Sequence, residues 1–314
     1  MKNLEDATFG IQWPEGRPFQ VIGMGLNAVD WIYVLPRFPS HGGKVQIENI
    51  HKRGGGQVAT ASALCARYGL KVRYVGRVGD DEIGEFSLGD LQTEPMDVSC
   101  VDKVPGASSQ YATILVDRPT GERTILWNRD SRLLYQDGEL NRDQLVQGQL
   151  LHLDGHDQVA SIQAARWAQE ADMKVSLDID RVRPGVEELL GLIDFLVPSL
   201  NFVQQFSGSQ DWKTGLRVLS QHTDGFVGVT RGSQGTAALW EGDILEIPGI
   251  PVESVDTTGA GDVFHGAFVY ALLENHSVGW CLRFANTAAA LSCTRYGARG
   301  GIPTLEAVLS MMGE

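Results

Sequence analysis

Between Leu150 and Thr230 short apolar runs alternate with amphipathic ones, and this alternation narrows the folds open to the chain more than any other feature. Leu150 to Gly155, Lys174 to Asp180, Asp194 to Val197 and Gly225 to Thr230 read as strands. Ser161 to Ala171, Val186 to Leu192 and most of Ser209 to His222 read as helices. Strands without a polar face are buried on both sides, and helices between them are the crossovers of a parallel sheet. The pattern predicts an α/β fold, with a mainly parallel sheet between two helical layers. The 314 residues carry no repeat, low-complexity stretch or long linker, so one domain accounts for them.

Upstream the pattern is different. Phe19 to Gly25 reads as a first buried strand. Gly23, Gly25 and Ala28 loosely spell a dinucleotide fingerprint, but that turn must open a helix. Here Asn27 to Val34 is aromatic and β-branched and is followed by Pro36 and Pro39, which reads as extended chain. A nucleotide-dependent oxidoreductase is therefore the weaker reading. Val45 to Ile50 alternates like a strand with one wet face. Arg53-Gly54-Gly55-Gly56-Gln57 leads into an alanine-rich helix, Val58 to Tyr68, stopped by Gly69. Lys71 to Gly79 is a strand, and Asp80-Asp81-Glu82 puts acids into the first turn of the next helix. Tyr111 to Val116 and Arg123 to Trp127 flank a turn-rich link and predict a hairpin. The strands near 31–53 and 109–129 are thus expected to form a small β-sheet inserted into a domain of residues 19–314. Residues 1–18 form an extension ahead of it.

The chemistry is concentrated in Asp256-Thr257-Thr258-Gly259-Ala260-Gly261-Asp262, which runs into apolar residues at helical spacing: Phe264, Ala267, Phe268, Ala271 and Leu272. The first N–H groups of a helix lack internal partners, and the macrodipole is positive there. Small residues let an anion approach them. Gly259, Ala260 and Gly261 are therefore candidate donors to a phosphoryl group. A carboxylate so placed, Asp262, is suited to accept the proton of an attacking hydroxyl. Asp30 lies beyond the first strand, at the edge where ligands of α/β sheets gather, and its carboxylate can accept from two neighbouring hydroxyls. Asp154 and His156 follow another strand at that edge. The chain has no Gly-x-x-x-x-Gly-Lys-Ser/Thr loop, so phosphate binding falls to the 259–261 turn.

The string Asp-Thr-Thr-Gly-Ala-Gly-Asp-x-x-x-Gly-Ala resembles the signature of the PfkB, or ribokinase-like, carbohydrate kinases. The resemblance extends over about residues 19–305. It implies a three-layer αβα sandwich with a small β-sheet lid over a sugar, and transfer of the γ-phosphoryl group of ATP to a sugar hydroxyl with Mg2+. Carried over to this sequence, it puts Asp30, Gly55, Gly56, Gln57, Thr60, Asp154 and Asp262 at the sugar. Thr60 stands where many members have Asn. Thr230, Gly232, Gly235, Gly259, Gly261 and Asn286 fall at ATP. A monovalent cation such as K+ falls at Asp256, Thr258, Ser292, Arg295 and Gly297. The usual Asn-x-x-Glu magnesium motif is replaced by Ser199 and Phe202, and a phenylalanine cannot bind a hydrated metal. The glycine triplet, Arg123 to Trp127 and the tail Thr294 to Pro303 look most like the ketohexokinase and sulfofructose kinase branch. That suggests a ketose, with ribose, a nucleoside, or an anionic sugar met by Lys44 and Arg53 as alternatives. A sugar-binding protein that kept the fold and lost turnover is the alternative outside catalysis. In the family the outer face of the lid often pairs with a second subunit, and Trp31, Tyr33, Ile47 and Trp127 are the candidates for a homodimer contact.

Charge and cysteines bound the rest. The net charge of −13 argues against nucleic acid or an anionic membrane as partner. Cys65, Cys100, Cys281 and Cys293 form no Cys-x-x-Cys pair, so a reduced compartment and no structural zinc are expected. Met1 to Gln20 lacks an apolar core of the signal-peptide kind, and no run is long enough to span a bilayer, which together suggest a cytoplasmic protein.

Overall fold

The computed structural model describes residues 7–314. Its large sheet is built from β1 (Val21–Met24), then, with β2 (Ala28–Leu35), β3 (Asn49–Gly55) and helix α1 (Gln57–Arg67) intervening, β4 (Val72–Gly79). Helix α2 (Glu82–Leu91) crosses to β5 (Asp97–Val104); β6 (Tyr111–Asp117) and β7 (Arg123–Asn128) belong with β2 and β3. After the short α3 (Arg142–Leu145) strand and helix alternate: β8 (Leu150–Leu153), α4 (Gln158–Glu170), β9 (Lys174–Leu177), α5 (Val186–Leu190), β10 (Phe195–Leu196). The run continues through α6 (Leu200–Ser207), α7 (Trp212–Leu219), β11 (Phe226–Thr230), β12 (Thr236–Trp240) and β13 (Asp243–Ile247). Four helices close the chain: α8 (Ala260–Leu273), α9 (Val278–Ser292), α10 (Ala298–Gly301) and α11 (Leu305–Met312).

The large sheet has nine strands in the order β13-β12-β11-β10-β9-β8-β1-β4-β5. All pairings are parallel except those of the edge hairpin β11–β12–β13. Neighbouring residues of one strand feed opposite cores, as period-2 geometry requires. Val21 and Leu150 pack under α1, α8 and α9, whereas Ile22 and Leu151 pack under α4 to α7. Both faces are covered, which gives the three layers expected. The four-stranded sheet runs β3-β2-β6-β7 and rests on a small core of Ile32, Ala112, Ile114 and Val116.

The elements differ from the expectation at several points. The half-wet strand is not 45–50 but Asn49–Gly55, because the ladder with β2 carries on to Gly55 opposite Ala28. The stretch expected to be mostly helical, 209–222, carries α7; α6 (Leu200–Ser207) ahead of it was not expected, and Gly208 in the left-handed conformation (φ 68°) separates the two. The helix expected at 280–294 starts and ends two residues earlier. The described part of the N-terminal extension lies along the domain. Phe9 packs edge-on against Phe195, Phe226, Trp240 and Phe268, and Arg17 donates to the carbonyls of Val146 and Ala171. Residues 1–6 lie outside the described residues. No helix among the described residues is long and apolar enough to cross a membrane.

Candidate active site

The loops after β1, β8, β9 and β11 and the start of α8 meet at the C-terminal edge of the large sheet. Gly259 caps α8 in the left-handed conformation (φ 76°), where a side chain is strained. A Cβ there would lie 2.4 Å from the Cβ of Ala298. Among the three expected donors, Ala260 is spent: its N–H reaches the Thr257 carbonyl at 3.3 Å. The N–H groups of Gly259 and Gly261 have no acceptor among the described residues. A Cβ on Gly261 would meet nothing within 4 Å, so the turn is open on that side. Of the three expected donors, the unpaired amides are therefore those of Gly259 and Gly261, with Ala260 shaping the turn.

Gly261 lines a cavity of ≈510 Å3 together with Thr230, Gly232, Gly235 and Asn286; Gly259 is not part of its lining. Asn286 lines it but has little left to offer a ligand. Its Oδ1 accepts from Thr236 Oγ1 at 2.6 Å, and its Nδ2 donates to the carbonyls of Ile247 and Pro248. It ties α9 to the edge hairpin and so fixes the wall of the cavity. Arg123 of β7 reaches across the same cavity to donate to Thr257 Oγ1.

On the acceptor side, Asp30 is the third residue of β2 and is almost wholly buried. Gly55 faces it so closely that a Cβ would sit 2.0 Å from Asp30 Oδ2. Burial pushes the Asp30 carboxyl up to about 7; the Arg299 guanidinium opposes this, and Asp262 and Asp256 add to it. Arg299 is itself buried, ion-paired with Asp90 at 2.8 Å, and occupies the space that the missing side chain of Gly54 leaves. Asp262 is pushed up to about 6, first by burial, with Asp154 and Asp180 adding and Arg123 opposing. Carboxyl groups so held are the kind that work as bases near neutral pH.

The other residues expected at the sugar make these contacts within the protein. Gln57 is turned toward His156, whose Nε2 lies 2.6 Å from Gln57 Oε1. Thr60 is fully buried in α1 with its hydroxyl unpartnered among the described residues, and it lines neither the nucleotide cavity nor the cleft beside Asp154. Asp154 is buried and spends its oxygens on backbone, accepting from Leu26 N–H at 2.6 Å and His156 N–H at 2.9 Å. It holds the floor of the site together. Gly56 (φ 94°) caps α1 against the Leu26–Asn27 backbone, where a Cβ would lie 2.4 Å from Asn27 Cα.

The segments expected around a monovalent cation do adjoin. Val255 and Asp256 donate to the Cys293 carbonyl, and the Asp256 carboxylate accepts from the N–H groups of Thr258 and Gly297. The carbonyls of Ser292 and Gly297 already accept from Arg295 and Gly301, so they bring less to a cage than expected. Ser199 caps α6, and Phe202 is fully buried. Among the described residues no group of three His, Cys, Asp or Glu side chains is placed to hold a metal. The turn after β1 runs into β2, not a helix, so the dinucleotide reading has no site here.

Several residues at the site carried no sequence signal of their own. Arg123, Arg299 and Asp178 reach it from three distant segments. Asp178 is buried 3.4 Å from His265 Nε2, one turn past Asp262 on α8, and burial with the charge of Asp262 raises its carboxyl well above the ordinary range.

Residues 21–305 match the family model described as pfkB family carbohydrate kinase. The chain is 28% identical over 296 residues to the ribokinase of Haemophilus influenzae, covering 92% of this chain and 97% of that one. It is 29% identical to the ATP-dependent ribose-1-phosphate kinase of Halopiger xanaduensis, covering 93% and 98%. Among solved structures, a putative ribokinase from Agrobacterium tumefaciens superposes with a TM-score of 0.88 at 29% identity, covering 94% of this chain and 97% of that one.

Proposed function

Because the chain belongs to the pfkB family of carbohydrate kinases, we propose that Asp262 takes the proton of a sugar hydroxyl as that oxygen attacks the γ-phosphorus of ATP. The chain is an ATP-dependent sugar kinase in outline. The proposal concerns the roles of its residues and the acceptor. The observation that carries it is the pair of unpaired amides at the start of α8, Gly259 and Gly261, with Gly261 lining a cavity of nucleotide size and the next residue's carboxyl, Asp262, held up to about 6. Charge growing on the transferring group meets these donors, which need no reorganisation at the moment of reaction. Asp30 holds the acceptor through its hydroxyls. With no cluster of protein ligands for it among the described residues, Mg2+ would be carried by the triphosphate and its own water shell, as suits an ion that gives up water reluctantly, and would supply neutralisation of phosphate charge. K+ at the Asp256 and Arg295 carbonyls would stiffen the turn.

ADP release over a panel of ketoses, pentoses and nucleosides with ATP, Mg2+ and K+ tests the reading. Bound ATP with no acceptor-dependent ADP would favour the sugar-binding alternative. Arg123 links the lid to Thr257, and we assign it a share of the phosphoryl charge once the lid is down. Arg123→Ala is expected to lower kcat about 10- to 100-fold, the scale of one charge-assisted contact; unchanged kcat would remove it from the chemistry.

The outer face of the lid supports a homodimer. Leu126 of β7 and Ile50 of β3 are 57% and 55% exposed and share the outer face with Trp31 and Tyr33, whereas Trp127 lies on the inner face with Arg123; apolar side chains grouped in this way mark contact surfaces. Sedimentation equilibrium should give twice the chain mass, and Leu126→Glu should halve it.

A further inference from the structure

Three arginines gather behind the acceptor site. Arg183 donates to the Gly155 carbonyl at 3.1 Å and lies 3.3 Å from His156 Nδ1, leaving most of its N–H donors unused. Arg129 follows β7, is half-buried, and has no hydrogen bond or ion pair among the described residues. Arg181 lies over the ring of Trp127 at 5.5 Å. All three act on His156: burial first, then their charge, holds its imidazole down to about 3 despite the opposing Asp180. A neutral ring protonated at Nε2 donates to Gln57 and accepts from Arg183, as the distances require.

Elsewhere in this acidic chain arginines such as 67, 73, 118, 132, 142, 166, 231 and 299 each have a carboxylate within ion-pair distance. The nearby acids do not serve these three. Asp154 and Asp180 face the cluster, yet neither comes within ion-pair distance of it, and Asp154 is occupied by backbone N–H groups. A second observation points the same way. Arg129 and His156 line a narrow cleft of about 20 Å3 with Arg77, Gln110, Asp154 and Asp157; both aspartates are taken up by backbone N–H groups, and Gln110 Oε1 is buried there without a partner among the described residues. The cleft admits a water-sized group, such as one oxygen of a ligand, and Gln110 can accept from a hydroxyl beside it.

We propose that the sugar accepted by this kinase carries an anionic group, a carboxylate or a phosphate, held by Arg129 and Arg183 at the end of the sugar remote from Asp262. Guanidinium forks bind both oxyanions through paired N–H donors. Lys44 and Arg53, the cations expected from the sequence, do not supply this site. Lys44 is exposed in the loop before β3, and Arg53 lies along α10. The inference rests on the kinase reading and adds the acceptor class to it.

The test compares kcat/KM for neutral pentoses and hexoses, matching aldonic and keto acids, and sugar phosphates, with ADP release as readout. A charged acceptor is expected to be preferred at least 100-fold. Arg129→Gln should raise its KM about 10- to 100-fold, with little change in kcat, in the KM for ATP, or in the KM of a neutral sugar. Arg183→Gln should act in the same direction. Arg129→Lys separates the two sources of charge, because an ammonium restores phosphate binding better than the paired bonding of a carboxylate. Preference for a neutral sugar, with both glutamine variants affecting charged and neutral acceptors alike, would overturn the anionic acceptor and leave the kinase reading standing. No ADP release with any sugar would overturn both.

Discussion

Asp262→Asn is expected to lower kcat by roughly 10²–10⁴-fold, the usual contribution of a positioned general base, with ATP binding retained. Asparagine has the shape of the carboxylate but cannot take a proton. The pH dependence separates this loss from a packing defect. With its carboxyl held up to about 6, the native enzyme should lose kcat/KM as pH falls through that value, and the asparagine variant should show no such limb. Stability should move the other way. A carboxyl with a raised pKa in the folded state binds more protons folded than unfolded between about pH 4 and 6. Its burden therefore grows as pH rises through that window and stays in full above it. The variant is released from that burden and should be more stable than the native chain at pH 8 by about 1–3 kcal/mol, and level with it below pH 4. A variant that keeps native turnover, or is less stable at pH 8, would contradict a base held in place against its own ionisation.

The second large effect is expected at Gly259. Alanine there must adopt φ near 76° and place its Cβ 2.4 Å from that of Ala298. The turn has to shift, and a donor that shifts no longer meets the developing charge. Loss of one such donor costs about 10²–10³-fold in kcat. The pair Gly259→Ala with Ala298→Gly removes the Cβ–Cβ contact but leaves the new Cβ 2.6 Å from the Cα of residue 298, and it leaves the left-handed backbone, whose own cost is about 1–2 kcal/mol. Melting temperature should recover in the pair more than kcat does. Full recovery of kcat would mean that the turn tolerates displacement and that the Gly259 amide is not a donor.

The chemistry of the chain was legible where it is local. The 256–262 string predicts a helix start, unpaired amides and an acid from adjacent residues alone, and α8 begins at Ala260 as that requires. The strand–helix alternation likewise gave the sandwich, because burial on both faces writes itself into consecutive apolar residues such as Leu150 and Leu151. What failed was of two kinds. Strands with polar, half-exposed faces were missed or misplaced: β5, with Ser99, Asp102 and Lys103, shows no clean alternation, and β3 runs through His51, Lys52 and Arg53 into glycines that read as loop. Contacts between distant segments leave no periodic trace. Arg299 beside Asp30 and Arg129 beside His156 exist only once the chain has closed on itself. The same holds for residues that were named but turned aside. Asn286 and Asp154 are spent on hydrogen bonds to their neighbours, which no spacing rule could reveal.

Asp30 sits near the start of β2 and Gly55 at the end of β3, so the proposed grip on the sugar lies at the root of the four-stranded sheet. A blade that pivots there sweeps widely at β7 and hardly at all at its base. An acceptor gripped there would sit at the fulcrum, held in one place through any swing of the far strand, which carries Arg123 and Trp127.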